Sequence, residues 1–116
     1  EIAQCLVGSE MCIRDRIEHV VEVGKSIKNG RTTQDIAIKL AEESGEVMGE
    51  ISIITGLSDY KKTEALNLCD ELVDTFINVV DLGVSVYGDD FQKLFEERLK
   101  VKCDKWIEKY NKQKAS

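Results

Sequence analysis

Proline is absent from this chain, and its aromatic residues are three Phe, three Tyr and one Trp. Without proline nothing breaks a helix interior, so long uninterrupted helices are permitted. The single histidine, His19, sits in no Glu-x-x-His pair, which argues against a di-iron carboxylate bundle. It also leaves Cys69 and Cys103 without a credible base, so nucleophilic catalysis of the Cys-His or Ser-His-Asp kind has no support. No Cys-x-x-Cys pair occurs, and the glycines follow no phosphate-cradling pattern. No apolar run is long enough to span a bilayer. What the chain does have is charge: 22 acidic against 16 basic residues, a formal net charge of −6. An acidic balance argues against non-specific binding to a nucleic acid polymer and is compatible with a divalent-metal site. The 116 residues suit one domain with one core of modest size.

The run Leu6–Arg16 resembles, without a gap, the translation of transposase adapter DNA used in sequencing-library preparation. That resemblance implies that residues 1–16 are non-native, and they are set apart from fold reasoning. The domain is then expected over residues 17–112, with 113–116 a polar tail. Removing 1–16 should leave folding intact. Cys5 and Cys12 fall within the excluded segment. The remaining Cys69 and Cys103 are read as buried or half-buried thiols of a reducing cytoplasm rather than as a disulfide or a zinc site.

The remainder reads as all-α, a four-helix bundle. A first helix spans about Ile17 to Ile27 and stops at Asn29-Gly30. A second starts at Thr32 or Thr33 as cap, ends at Thr55-Gly56 and carries Ile36, Leu40, Val47, Ile51 and Ile54 on one side. A third runs from the 58–63 region to Tyr87, with Gly88 as its stop. A fourth follows Asp89 or Asp90 to about Asn111, marked by Phe91, Leu94, Phe95, Leu99, Trp106 and Tyr110. No strand-like alternation appears. Apolar residues from Leu66 to Val86 cover well over half of the third helix, more surface than a monomer of this size can bury. A homodimer or homotetramer is therefore expected.

Helical residues three, four and seven apart share a face. Glu43, Glu46 and Glu50 form one stripe, with Lys39 on it, and Glu42 stands beside it. Glu71, Asp74, Asn78 and Asp81 form a second stripe, in the narrow polar arc of the third helix. From Ala65 to Tyr87 there is no Lys or Arg, whereas solvated faces mix both signs. Two acidic stripes side by side make an oxygen-only cluster suited to Mg²⁺.

Glu43-x-x-Glu46 followed, after residues 47–70, by Glu71-x-x-Asp74 resembles the paired acidic signature of MazG-like nucleoside-triphosphate pyrophosphohydrolases. The flanking Lys39–Val47 and Asp70–Asn78 segments are similar too, and the likeness extends over Ile17 to Tyr110. The resemblance implies hydrolysis of a (deoxy)nucleoside triphosphate to the monophosphate and pyrophosphate. The cofactor implied is Mg²⁺, with Mn²⁺ as a substitute. Glu43, Glu46, Glu71 and Asp74 would be metal ligands and catalytic residues, and Glu42 or Glu50 would support them or hold a further ion. Asn78, Lys39, Arg98, Lys102 and Lys105 would contact substrate. Phe76, Phe95, Tyr60, Tyr87 and Trp106 are base-stacking candidates that as readily serve as core. The competing expectation is a non-enzymatic helical oligomerisation or interaction domain that keeps the fold alone.

Overall fold

The computed structural model describes residues 13–27, 30–56 and 66–115. Every regular element among them is helical: α1 (Ile13–Ser26), α2 (Thr33–Ile54), α3 (Asn67–Tyr87), a 3₁₀ turn (Gly88–Asp90) and α4 (Phe91–Ala115). The stretch in which Tyr60 and the expected start of the third helix fall lies outside the described residues, as do Cys5 and Cys12.

Local chemistry explains the ends of α2. The Thr32 hydroxyl accepts the Asp35 backbone N–H, and the Asp35 carboxylate accepts the Thr32 N–H, a reciprocal capping box. These bonds hold the Asp35 carboxyl below the usual carboxylate range, the backbone bond contributing most. At the other end the Thr55 N–H returns to the Ile51 carbonyl, and Gly56 takes φ +78°, a conformation that costs glycine little. Thr32→Ala is expected to cost about 1 kcal/mol. Chemical denaturation with an unchanged m-value checks this.

Two helix starts depart from the sequence expectation. α1 begins at Ile13, inside the adapter-like segment, with Asp15 in its first turn, a position that suits the helix dipole. Asp89 and Asp90 form a 3₁₀ turn instead of capping, and α4 follows directly at Phe91. α4 also runs past Asn111 to Ala115, because its Lys-rich end carries no stop residue.

The most extensive packing joins α2 to α3. They are antiparallel: Thr33 at the start of α2 hydrogen-bonds Ser85 near the end of α3, while Glu43, mid-α2, lies against Glu71 near the start of α3. α1 also packs against α3, and its Lys25 pairs with Asp89 just beyond the end of α3. Arg31, in the α1–α2 connection, grips both carboxylate oxygens of Asp81 on α3. Among the described residues the buried apolar core is small, consisting of Ile17, Ile36, Val80 and Phe91. Phe91 stacks on Tyr87 at a centroid distance of 6.4 Å and meets Phe95 at a tilt of 32°, 5.1 Å away. It also seats its ring against Gly83.

Much apolar surface stays uncovered. Leu72, Val73 and Val86 of α3 are about half exposed. Every residue of α4 from Glu97 to Ala115 is exposed, Trp106 at 76%. α4 thus leaves the packed group after its first turns, so Trp106 is no core residue. Cys69 and Cys103 are exposed free thiols, contrary to the expectation of buried or half-buried ones, because each lies on a face that none of the described helices covers. Among the described residues no helix is long and apolar enough to cross a membrane.

Candidate metal centre

The antiparallel pairing brings the acidic stripes of α2 and α3 together. One carboxylate oxygen from each of Glu43, Glu46 and Glu71 lies within 4.8 Å of the others. Glu43 is 4% exposed, and its Oε2 is buried without a hydrogen-bond partner. A buried, unpaired carboxylate oxygen is costly, and among like charges more so. Its other oxygen faces Lys39, whose Nζ is 3.3 Å from Glu43 Oε1 and 3.9 Å from Glu42 Oε1. That pairing with Glu43 raises the Lys39 pKa. One exposed ammonium does not balance three clustered acids.

The crowding registers on Glu71. Its carboxyl is pushed up from 4.5 to about 7, first by the hydrogen bond it shares with Glu46, then by desolvation, then by the charges of Glu46, Glu43 and Asp74. Below about pH 7 the cluster thus holds a proton, which lessens the repulsion among its acids. Because this pKa is higher folded than unfolded, the stabilisation is complete below about 4.5 and is lost as pH rises through about 7. Two outcomes are expected. The melting temperature of the metal-free protein should fall between pH 5 and pH 8. Mn²⁺ affinity should rise about tenfold per unit up to about pH 7 and then level off, as the competing proton leaves. Calorimetric titration at several pH values in buffers of different ionisation enthalpy measures both the affinity and the proton released.

The remaining expected site residues are placed differently. Asp74 is exposed on α3 and is not part of the three-oxygen group, although its charge is felt at Glu71. Asn78 donates its side-chain N–H to the Asp74 carbonyl at 2.8 Å, so its amide is already engaged with its own helix. Glu42 is exposed, and Glu50 is half-buried one turn beyond Glu46. Arg98, Lys102 and Lys105 stand on the exposed stretch of α4. The Arg31–Asp81 pair was not anticipated. Its only sequence trace is an arginine placed between Gly30 and the Thr32 cap.

An all-oxygen donor set with an orphaned buried oxygen fits a hard divalent cation such as Mg²⁺ or Mn²⁺. No protein-family model matches the chain, and none of the curated proteins or solved structures is measurably similar to it.

Proposed function

We propose that this protein is a MazG-like nucleoside-triphosphate pyrophosphohydrolase that acts with Mg²⁺, or with Mn²⁺ in its place. The observation that carries the reading is the buried Glu43 carboxylate, which has an unpartnered Oε2 and lies in one cluster with Glu46 and Glu71. A solvated acidic face has no reason to bury one acid among two others. Glu43, Glu46 and Glu71, with Asp74 nearby on α3, would hold the cation. When bound, the metal neutralises phosphate charge and lowers the pKa of a coordinated water.

The chain's own residues supply the rest. Lys39, beside Glu43 and open to solvent, meets the phosphate oxygens. A carboxylate of the cluster would take the proton from the attacking water. Arg98, Lys102 and Lys105 reach a phosphate only if α4 packs back or comes from a second copy. The half-exposed apolar residues of α3 and α4 favour assembly into a homodimer or homotetramer. They equally favour the second reading, an interaction domain without activity. Cytoplasmic residence accords with both.

The deciding experiment is pyrophosphate release from a panel of canonical and modified (d)NTPs with Mg²⁺, using the parent, Glu46→Gln and Asp74→Asn. Release by the parent that both variants lose, with helicity kept, is the expected result. A folded, assembled protein that releases none from any nucleotide favours the interaction domain.

A further inference from the structure

Every residue of α4 from Glu97 to Ala115 is exposed, yet this arm carries an ordered apolar seam. Leu99, Cys103, Trp106 and Tyr110 follow at intervals of four, three and four, so they share one face. Most helical stability in proteins comes from packing such a face, and among the described residues nothing packs on this one. From its sequence and exposure we infer that the α4 arm of one copy docks on α3 of a second copy, along the exposed Leu66, Cys69, Val73 and Ile77. The inference rests on the assembly part of the reading above, whose contact it names, and is independent of the hydrolase part.

Length and area fit. Leu66 to Ile77 and Leu99 to Tyr110 each advance about 16 Å along their helix at 1.5 Å per residue. Trp106 and Tyr110 can bury about 150–250 Å² each. In a two-fold exchange each copy gives both an arm and a receiving seam. Together these approach the about 800 Å² per partner of a stable interface.

Charge selects the occupant. Residues 97–115 hold seven basic and three acidic residues, a net +4, whereas the whole chain carries −6, so the rest carries −10. By helical position, Lys102 and Lys109 flank one side of the α4 seam and Lys100 the other. Two such seams laid together would set lysine against lysine. α3 offers the opposite sign. Exposed Asp70 and Asp74 border its seam, and no Lys or Arg occurs between Ala65 and Tyr87. The arm's own α3 is not the occupant. From Phe91 to Ala115 the helix has no Gly or Pro at which to bend. Its base is fixed by Phe91, buried against Gly83. The heading of the arm is therefore set, and its seam meets another molecule.

The test uses the full chain. Sedimentation velocity is expected to show a dimer or larger species at micromolar concentration. Trp106→Lys on the arm and Val73→Asn on the receiving seam should each weaken self-association by more than about tenfold, with helicity kept. Mixing the two variants should recover association, because one reciprocal contact then joins an intact arm to an intact seam. In a Cys5→Ser/Cys12→Ser background, a short bis-maleimide should link Cys69 of one copy to Cys103 of the other, read from mixed isotope labels in the linked peptides. A parent that stays monomeric at that concentration overturns the inference, as does a Cys69–Cys103 link confined to single chains. Association that Val73→Asn leaves intact, or that mixing fails to recover, overturns it too, since two arms then pair with each other. So does a monomer that binds anionic lipid vesicles through Trp106. Assembly of the expected kind without pyrophosphate release would remove the hydrolase reading and leave this contact standing.

Discussion

Glu43→Gln is expected to weaken Mn²⁺ binding by at least about 100-fold and, at the same time, to raise the melting temperature of the metal-free protein. The opposite signs follow from one fact. Glu43 is buried with an oxygen that has no partner, next to two further carboxylates. In the absence of metal its charge is a liability. The isosteric amide removes that charge, still accepts from Lys39 at the oxygen now 3.3 Å from Nζ, and offers N–H donors to Glu46 and Glu71. With metal present the same change deletes an anionic ligand. Altering only the partners of metal ligands already costs about 10–100-fold in affinity, so loss of a ligand itself costs at least the upper end of that range. Differential scanning calorimetry with and without Mn²⁺ reads both effects in one series. A variant that loses stability without metal would show that Glu43 is held by structural contacts and not by the requirement for a cation.

Gly83→Ala reverses a normal helix rule. In an exposed helix interior, replacing Gly by Ala gains about 1 kcal/mol. At Gly83 a Cβ would fall inside the Phe91 ring, which sits over the bare backbone of α3. Gly83 and Phe91 are both buried, and Phe91 anchors α4 through its contacts with Tyr87 and Phe95. Overpacking costs about 1–3 kcal/mol and sometimes more. The ring must leave its seat, so the cost exceeds the propensity gain. The expected net loss is about 2 kcal/mol, or roughly 8–16 °C in melting temperature for a domain of this size. Gly45, where an added Cβ meets nothing within 4 Å, is the internal control. There the same substitution should stabilise.

The parts of this fold that were legible in the sequence are the local ones. Thr32 and Gly56 mark the ends of α2, and Gly88 ends α3, because caps and positive-φ glycines act within a few residues. The shared faces of Glu43 with Glu46 and of Glu71 with Asp74 follow from helical spacing. That Glu43, Glu46 and Glu71 meet required the two helices to be antiparallel neighbours, which the spacing within either helix does not reveal. Spacing could not show that Asp74 stays exposed and outside the three-oxygen group, since helix rotation is set by packing. Nor could it pair Arg31 with Asp81, which are fifty residues apart in sequence. α4 shows a further limit. Leu99, Trp106 and Tyr110 have the periodicity of a core face yet are exposed. Periodicity tells that a face is apolar and is silent on what covers it. The N-terminal reading meets the structure at one point: α1 extends four residues into the adapter-like segment, through Ile13–Arg16, so truncation to Ile17 removes a helical turn along with that segment.

The central claim, that the α2–α3 carboxylates form a cation site, is tested most directly by paramagnetic relaxation. Substoichiometric Mn²⁺ is added to isotope-labelled protein, and line broadening is mapped along the backbone. The account predicts broadening centred on Glu43, Glu46 and Glu71, reaching Asp74 and Lys39, fading toward Asp81, and abolished in Glu43→Gln. Broadening centred on another acidic surface, or broadening that survives Glu43→Gln unchanged, would contradict it.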